Sequence, residues 1–548
     1  MRRWEEVRFE NVLYPTGLAL VWTGLLWRFS EPHRLPGGLW AVADDIYISA
    51  SFARTMAEGG GLRWYPEAPK VEGITNPLWT GVLAVLHGLP GFSEDRLGAY
   101  VFGANVALLW ALAFVLCRTI DRFVGHVSSG RTSSIVRRVA VFAASFAPLS
   151  LCFWMSSGFE TGVVALLSLL AFSEALRAPE RIRTVRVAVF VGLAFCARMD
   201  AVLACAPALL AVATRVRDRS QLARGAVTLA AILAGAFTLR FAYYGEWLPN
   251  TYYLKLAGWP LGQRWPHGVL ANSATLWMLL FAVVPLFIFL ILRLEAAHRP
   301  LALSLAPLVL LVVYSTTSGG DFELPAYGYD RHGAPATVFV PLAIVGALLL
   351  RRLRSWEKPL VAMWAAALVI WPAIASFAVR EPNAFESTLG LMPLRVSGHR
   401  VAEIVDLRQP YRVPDAISGL LIRRGKALRE VMLPGARVAV CSAGAMVYFS
   451  HRGGVDALGK VDPYIAHLPA STSKPKEARC FRSVLPSGHN KEDTEGLFRL
   501  REPEISVIPP PSSQAGRYAT VEWRGHRFFA RRESRLLDWS KLREVGAR

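Results

Sequence analysis

Long apolar runs separated by short arginine-rich links fill most of the first 378 residues, and this alternation constrains the fold more than any other feature. A run of about 18 or more apolar residues is long enough to cross a bilayer as a helix. The apolar fraction, 53%, would be only slightly high for a soluble domain, so the distribution decides the class. The net charge of +20 fits either nucleic-acid binding or cytoplasmic links under the positive-inside rule. The arginines sit between apolar runs, not along one amphipathic face, which favours the second and sets nucleic acid aside as a partner.

Charge also sets the topology. The charged start, with Arg2, Arg3 and Arg8, stays in the cytoplasm. No convincing small-residue cleavage site follows the first run, 11–29, which therefore reads as a retained anchor. The segment 76–92 is apolar but short. If it crossed, every later basic link would fall outside. If it lies in the interface, with Trp79 suited to that position, all of them fall inside: 118–138, 181–186, 215–224, 293–299 and 351–358. The spans are then 11–29, 97–117, 139–155, 160–177, 185–198, 201–216, 225–243, 273–293, 301–318, 335–350 and 359–378, about 11 in all. Segments 185–198 and 201–216 are short against the ~20 residues needed to cross. One broken element is the alternative there, and it would overturn the topology downstream.

The expected architecture is a polytopic α-helical membrane domain, 1–378, with a long first outer loop, 30–96, and a C-terminal extracytoplasmic α/β domain, 379–548. In the tail, 436–444 reads as a buried strand ending in a Gly turn, and 518–532 as a hairpin around Arg524–Gly525. Cys441 and Cys480 can pair if the tail is extracytoplasmic. Cys117, Cys152, Cys196 and Cys205 lie in or beside apolar runs and read as packing residues.

The same topology gathers the polar links 44–80, 156–160, 244–272 and 318–334 on the outer face, with the turn holding Arg198 and Asp200. These links carry the residues suited to chemistry. Asp44 and Asp45 are adjacent carboxylates at the mouth of a membrane bundle, where charge is costly. One can serve as a general base while the other binds backbone or a helix start; the plain alternative is a cap on the helix beginning near Ile46. Lys70, Arg198, Lys255 and Arg331 are candidate phosphate contacts. For Arg198 the plain alternative is pairing with Asp200. Glu160 begins a span, Asp321 follows Gly319–Gly320, and His332 is a weaker candidate. No spacing matches a strong metal motif, although the acidic pair and phosphate oxygens could together hold a divalent cation.

The stretch DDIYISASFAR…EGGGLRWYPEAPKVEGITNPLWT (44–80) resembles the signature of the terminal β-1,2 arabinofuranosyltransferases, within the GT-C superfamily of glycosyltransferases that use lipid-phosphate sugars. SSGFET (156–161), ARMD (197–200), LPNTYYLK (248–255) and SGGD (318–321) follow in order. In the tail, 438–466 and GHNKEDTE (488–495) are also similar to this family. The resemblance implies a GT-C membrane domain in the bacterial inner membrane, a polyprenyl-phosphate sugar donor, a cell-envelope glycan acceptor and inverting transfer on the outer face. It implies that Asp44 and Asp45 are the essential acidic pair and Asp321 the outer-loop aspartate. Within its motifs, Glu72, Asn76, Asn250 and Tyr253 join the candidate donor and substrate contacts, and the tail is a candidate glycan-binding domain. ARMD departs from the more usual R-P-[ED]-G form and the loop after Asp321 is tyrosine-rich, which leaves sugar and acceptor open. A transporter or flippase of envelope lipids is the alternative. It should carry ionisable groups near mid-membrane and repeated halves; here the charges gather at one face and no repeat is evident.

Overall fold

The structure is a computed structural model, which describes residues 2–127, 131–295, 298–321, 329–350, 353–380, 395–396, 399–400, 413–470, 480 and 490–546. The tyrosine-rich loop after Asp321, most of 381–412 at the start of the tail domain and the first two residues of GHNKEDTE lie outside the described residues. By contact the chain forms two units. One comprises Met1–Glu31, Val101–Ala236 and His267–Leu394, the other Pro32–Tyr100, Phe237–Pro266 and Arg395–Arg548.

The first unit is helical, and helical structure covers the expected spans, 139–155 as two helices, Arg131–Phe146 and Leu149–Ser156. Among the described residues, five helices are long and apolar enough to cross a bilayer. The helix Arg219–Tyr244 makes the strongest case for lipid. Its apolar window has a mean hydropathy of 1.7, yet only 6% of that window is buried within the protein. In water such a surface would be a liability; in hydrocarbon it is the expected solvent contact. The doubtful pair of spans forms two separate helices, Thr184–Ala197 and Ala201–Arg215, packed on each other and on Thr161–Ala175. At 14 and 15 residues both are short for a perpendicular crossing. Pro285 cannot donate to its preceding turn, and the helix over 273–293 opens into a π turn, Leu279–Val283, just before it. Between helices the unit is tied by side chains such as Trp22, whose indole N–H donates to the Ala144 carbonyl at 2.9 Å.

The second unit holds a mixed six-stranded sheet. Its order is Arg543–Glu544, Tyr518–Trp523, His526–Arg531, Ile505–Ser506, Arg437–Val440, Gly453–Asp456. Arg437–Val440 runs parallel to both of its neighbours, and the helix Ala445–Ser450 makes the crossover to Gly453–Asp456. The expected hairpin is present, with Trp523 opposite His526. Arg524 and Gly525 both take positive φ, 47° and 74°, as a tight two-residue turn between twisted strands requires. Cys441 and Cys480 form a disulfide. The other four cysteines are free thiols.

The same unit contains residues 32–100. Asp44–Ala57 is a helix whose two aspartates occupy its first turn, where they meet the positive end of the helix dipole. It stops at Glu58 and three glycines, Gly59 and Gly61 having positive φ. Pro77 starts the next helix, Pro77–His87, whose 11 residues are too few to cross a bilayer. The two helices pack together, and Asp44–Ala57 also packs on Ala445–Ser450.

Candidate functional site

The adjacent aspartates have different partners. The Asp44 carboxylate accepts hydrogen bonds from the backbone amides of Ala445, at 2.8 Å, and Gly444, at 3.3 Å. It therefore caps the helix Ala445–Ser450, not its own. A side chain at Gly444 would collide with the Asp44 main-chain carbonyl, so the approach requires glycine there. Burial pushes the Asp44 carboxyl up to about 6, and the two amides only partly offset that. Asp45 instead forms an ion pair with Lys460 and keeps 27% of its side chain exposed.

A tight loop presents Lys460. The buried Asp456 carboxylate accepts from the amides of Leu458, at 3.0 Å, and Val461, at 2.9 Å, folding residues 456–461 back on themselves. Burial pushes the Asp456 carboxyl up to about 6 as well. Asn250 grips the loop from outside: its amide nitrogen donates to the carbonyls of Gly459, at 2.8 Å, and Lys460, at 3.0 Å. The Asn250 main-chain amide donates to the Glu72 carbonyl at 3.0 Å. The Glu72 side chain is buried in an ion pair with Arg240 at 2.5 Å. Asn76 is buried too, its amide oxygen accepting from the hydroxyls of Ser49, at 2.9 Å, and Thr80, at 3.2 Å. Lys70 lies exposed with its ammonium 4.8 Å from the centre of the Tyr243 ring. Tyr253 donates to Glu246 at 2.8 Å and stacks on His467. Lys255 ends the short helix Asn250–Lys255, half-buried.

Further contacts hold the helix Ala445–Ser450 against the segment that follows Asp44. Arg54 donates to the Tyr448 carbonyl at 2.7 Å and pairs with Glu94 at 3.0 Å. His87 Nε2 lies 2.8 Å from the Tyr448 hydroxyl, and His451 Nε2 lies 2.7 Å from Glu94.

The remaining candidates cluster within the first unit. Arg198 is buried and pairs with Glu160 at 3.0 Å and, through two nitrogens, with Asp200 at 2.9 and 2.8 Å. His332 Nδ1 lies 2.8 Å from the same Asp200 carboxylate. Burial disfavours charge on Asp200, but Arg198 and His332 more than offset it and hold the carboxyl well below the usual range. Arg331 pairs with Asp321 at 2.6 Å and lies over the Phe159 ring. Asp330, which sequence reasoning did not single out, accepts from the amides of His332, at 3.1 Å, and Gly333, at 2.8 Å, and so shapes this turn. Both arginines expected to hold phosphate thus already have carboxylate partners.

Sequence reasoning also missed two lysines. Lys460 lies in a stretch whose resemblance was noted, but it is a single lysine in a glycine-rich loop, 415 positions from Asp45. Lys491 is buried, its ammonium donating to the carbonyls of Tyr253, at 2.6 Å, and of Ala257 and Ala466, both at 2.8 Å; burial lowers it to about 8. Among the described residues no group of three or more His, Cys, Asp or Glu is placed to hold a metal ion.

Comparison with known proteins adds three findings. A family profile described as "Domain of unknown function (DUF8728)" matches residues 409–535. No curated protein matches the sequence. Among solved structures, the chain is similar to ArnT from Cupriavidus metallidurans in the apo state, with a TM-score of 0.52 at 14% identity over 96% of this chain and 98% of that one. The same protein bound to undecaprenyl phosphate gives a TM-score of 0.51 at the same identity and coverage. At that identity the likeness is one of fold: over 96% of its length the chain is similar in fold to ArnT.

Proposed function

We propose that the protein is a membrane glycosyltransferase that moves a sugar from a polyprenyl-phosphate donor to a cell-envelope glycan, with Asp45 as general base. The observation that carries this reading is the divided role of the acidic pair. Asp44 is committed to two backbone amides, whereas Asp45 stays partly exposed beside an ammonium. The donor class is supported by the fold it shares with ArnT, a protein whose structure holds undecaprenyl phosphate. The sugar, arabinofuranose, and the terminal position on the glycan rest on the resemblance of residues 44–80. The outer face of the bacterial inner membrane rests on the arginine bias of the links.

The chemistry asks little of the chain. The acceptor hydroxyl gives its proton to the Asp45 carboxylate as its oxygen attacks the anomeric carbon. The bond from that carbon to the phosphate oxygen breaks, and the electron pair leaves with the polyprenyl phosphate. A single displacement inverts the anomeric configuration. Lys460 orients the Asp45 carboxylate and offers positive charge for the departing phosphate.

The test is transfer by purified protein from a panel of polyprenyl-phosphate sugars to a synthetic glycan, read by product mass and anomeric configuration. Asp45→Asn should lower the rate by about 10²–10⁴-fold, the usual contribution of a positioned base. Transfer at the wild-type rate by this variant would end the assignment.

A further inference from the structure

Behind the loop that carries Lys460 lies a cavity of about 60 Å³, open to solvent on one side, within the second unit. At about 10–15 Å³ per water, that is room for roughly four to six water molecules, about the bulk of one sugar ring. Trp64 and Tyr65 give it an aromatic wall; Arg437, Arg501, Asp456, Asp462 and the strand residue Gly454 line it too, together with apolar residues of 68–71, Val455 and Val461. The aromatic wall depends on glycine: a side chain at Gly454 would run into the Trp64 ring.

The lining identifies the ligand class. Arg501 donates to Asp462 at 2.9 and 3.3 Å, and the Arg437 guanidinium lies 3.8 Å from Glu504. Each cation therefore comes with its own carboxylate, and the two arginines and two aspartates of the lining cancel in formal charge. That is a poor trap for a phosphate or carboxylate, which needs a surplus of positive charge. It suits a neutral polyol, whose hydroxyls each need both a donor and an acceptor while the C–H face lies on an aromatic ring. Trp64 is 5% exposed, and its indole N–H has no hydrogen-bond partner among the described residues. A buried donor of that kind is costly unless a ligand or water satisfies it.

We propose that this cavity binds one neutral sugar residue of the acceptor glycan. The assignment rests on the glycosyltransferase reading above and adds the place where the acceptor is held. Residues 456–462 form a partition: Asp456, Val461 and Asp462 line the cavity, and Lys460 between them meets Asp45. A sugar seated there lies one loop away from the proposed base.

The experiment uses the full chain in detergent and saturation-transfer NMR with methyl α-D-arabinofuranoside, methyl α-D-mannopyranoside and methyl β-D-glucopyranoside, inorganic phosphate being the competitor. At least one glycoside should bind, phosphate should not displace it, and Tyr65→Leu and Arg501→Lys should each weaken binding by at least about tenfold. Unchanged melting temperatures identify the variants that remain folded, and either one alone suffices. Asp45→Asn should bind the glycoside as wild type does while losing transfer. The cavity assignment is overturned if no glycoside binds, if phosphate displaces it, or if a folded cavity variant binds normally. Glycoside binding that depends on the cavity in a protein whose Asp45→Asn form still transfers sugar would instead overturn the base assignment and leave the cavity standing.

Discussion

The Asp44 carboxylate receives the Ala445 amide at 2.8 Å from 401 positions further along the chain, and so caps a helix that its own segment does not contain. An N-terminal cap is worth about 0.5–2 kcal/mol. Here it also fixes where the helix Ala445–Ser450 sits against Asp44–Ala57.

This contact has a pH signature. The Asp44 carboxyl is raised from 3.8 to about 6, chiefly by burial. A carboxyl raised on folding favours the folded state when protonated, so its contribution is fully present below about 3.8 and lost as pH rises through about 6. Asp456 titrates in the same window for the same reason. Thermal unfolding from pH 4 to pH 7 should therefore show stability falling across that range, and Asp44→Asn should flatten the fall by removing one of the two groups. An unchanged slope in the variant would refute the assignment.

Lys460 should matter to catalysis more than to stability. Its partner Asp45 is partly exposed, and ion pairs of that kind contribute ~1 kcal/mol or less. Lys460→Ala should leave the melting temperature almost unchanged while lowering kcat by about ten- to a hundredfold. Lys460→Arg should recover part of the loss. Steady-state kinetics that show a change in KM alone would place Lys460 in ground-state binding instead.

Asn250 is expected to be a structural pin for the same loop. Replacement by Leu leaves the carbonyls of Gly459 and Lys460 without their donor, at about 1–3 kcal/mol. The loop that presents Lys460 would loosen with it. The variant should lose both melting temperature and activity, whereas Lys460→Ala loses activity alone, and differential scanning calorimetry beside a transfer assay separates the two.

In the first unit Arg198 holds two carboxylates. Arg198→Met would leave Glu160 and Asp200 buried without their cation, and breaking a buried pair in this way costs about 3–5 kcal/mol. Expression should fall, and the protein that survives should melt well below wild type. A melting temperature equal to wild type would show that the guanidinium does not carry this turn.

What the sequence disclosed follows the reach of each interaction. Helix positions were legible because apolar periodicity is local, and the tight turn at Arg524–Gly525 was legible because its glycine is. The Arg198–Asp200 pair spans two positions and was anticipated. That one aspartate of the acidic pair would bind a helix start was also anticipated, but the helix expected was the one beginning at Ile46. The helix found begins 401 positions away, and no local pattern links Asp44 to Ala445 or Asp45 to Lys460. Glu72 and Asn76 were singled out through a motif, yet their side chains are occupied within the fold, by Arg240 and by two hydroxyls. A motif marks that a residue is needed without distinguishing a substrate contact from a brace.

The cap that Asp44 places on Ala445 also has a bearing on biosynthesis. At about 5–20 residues per second on the ribosome, the amide that completes this bond is made roughly 20–80 s after the carboxylate that receives it. Over that interval the face of Asp44–Ala57 that carries Tyr47, which packs on Tyr448 and Phe449, has no tail to cover it. A newborn chain of this kind is a natural client for a chaperone acting on this helix, and premature termination anywhere before Ala445 would leave that face permanently bare.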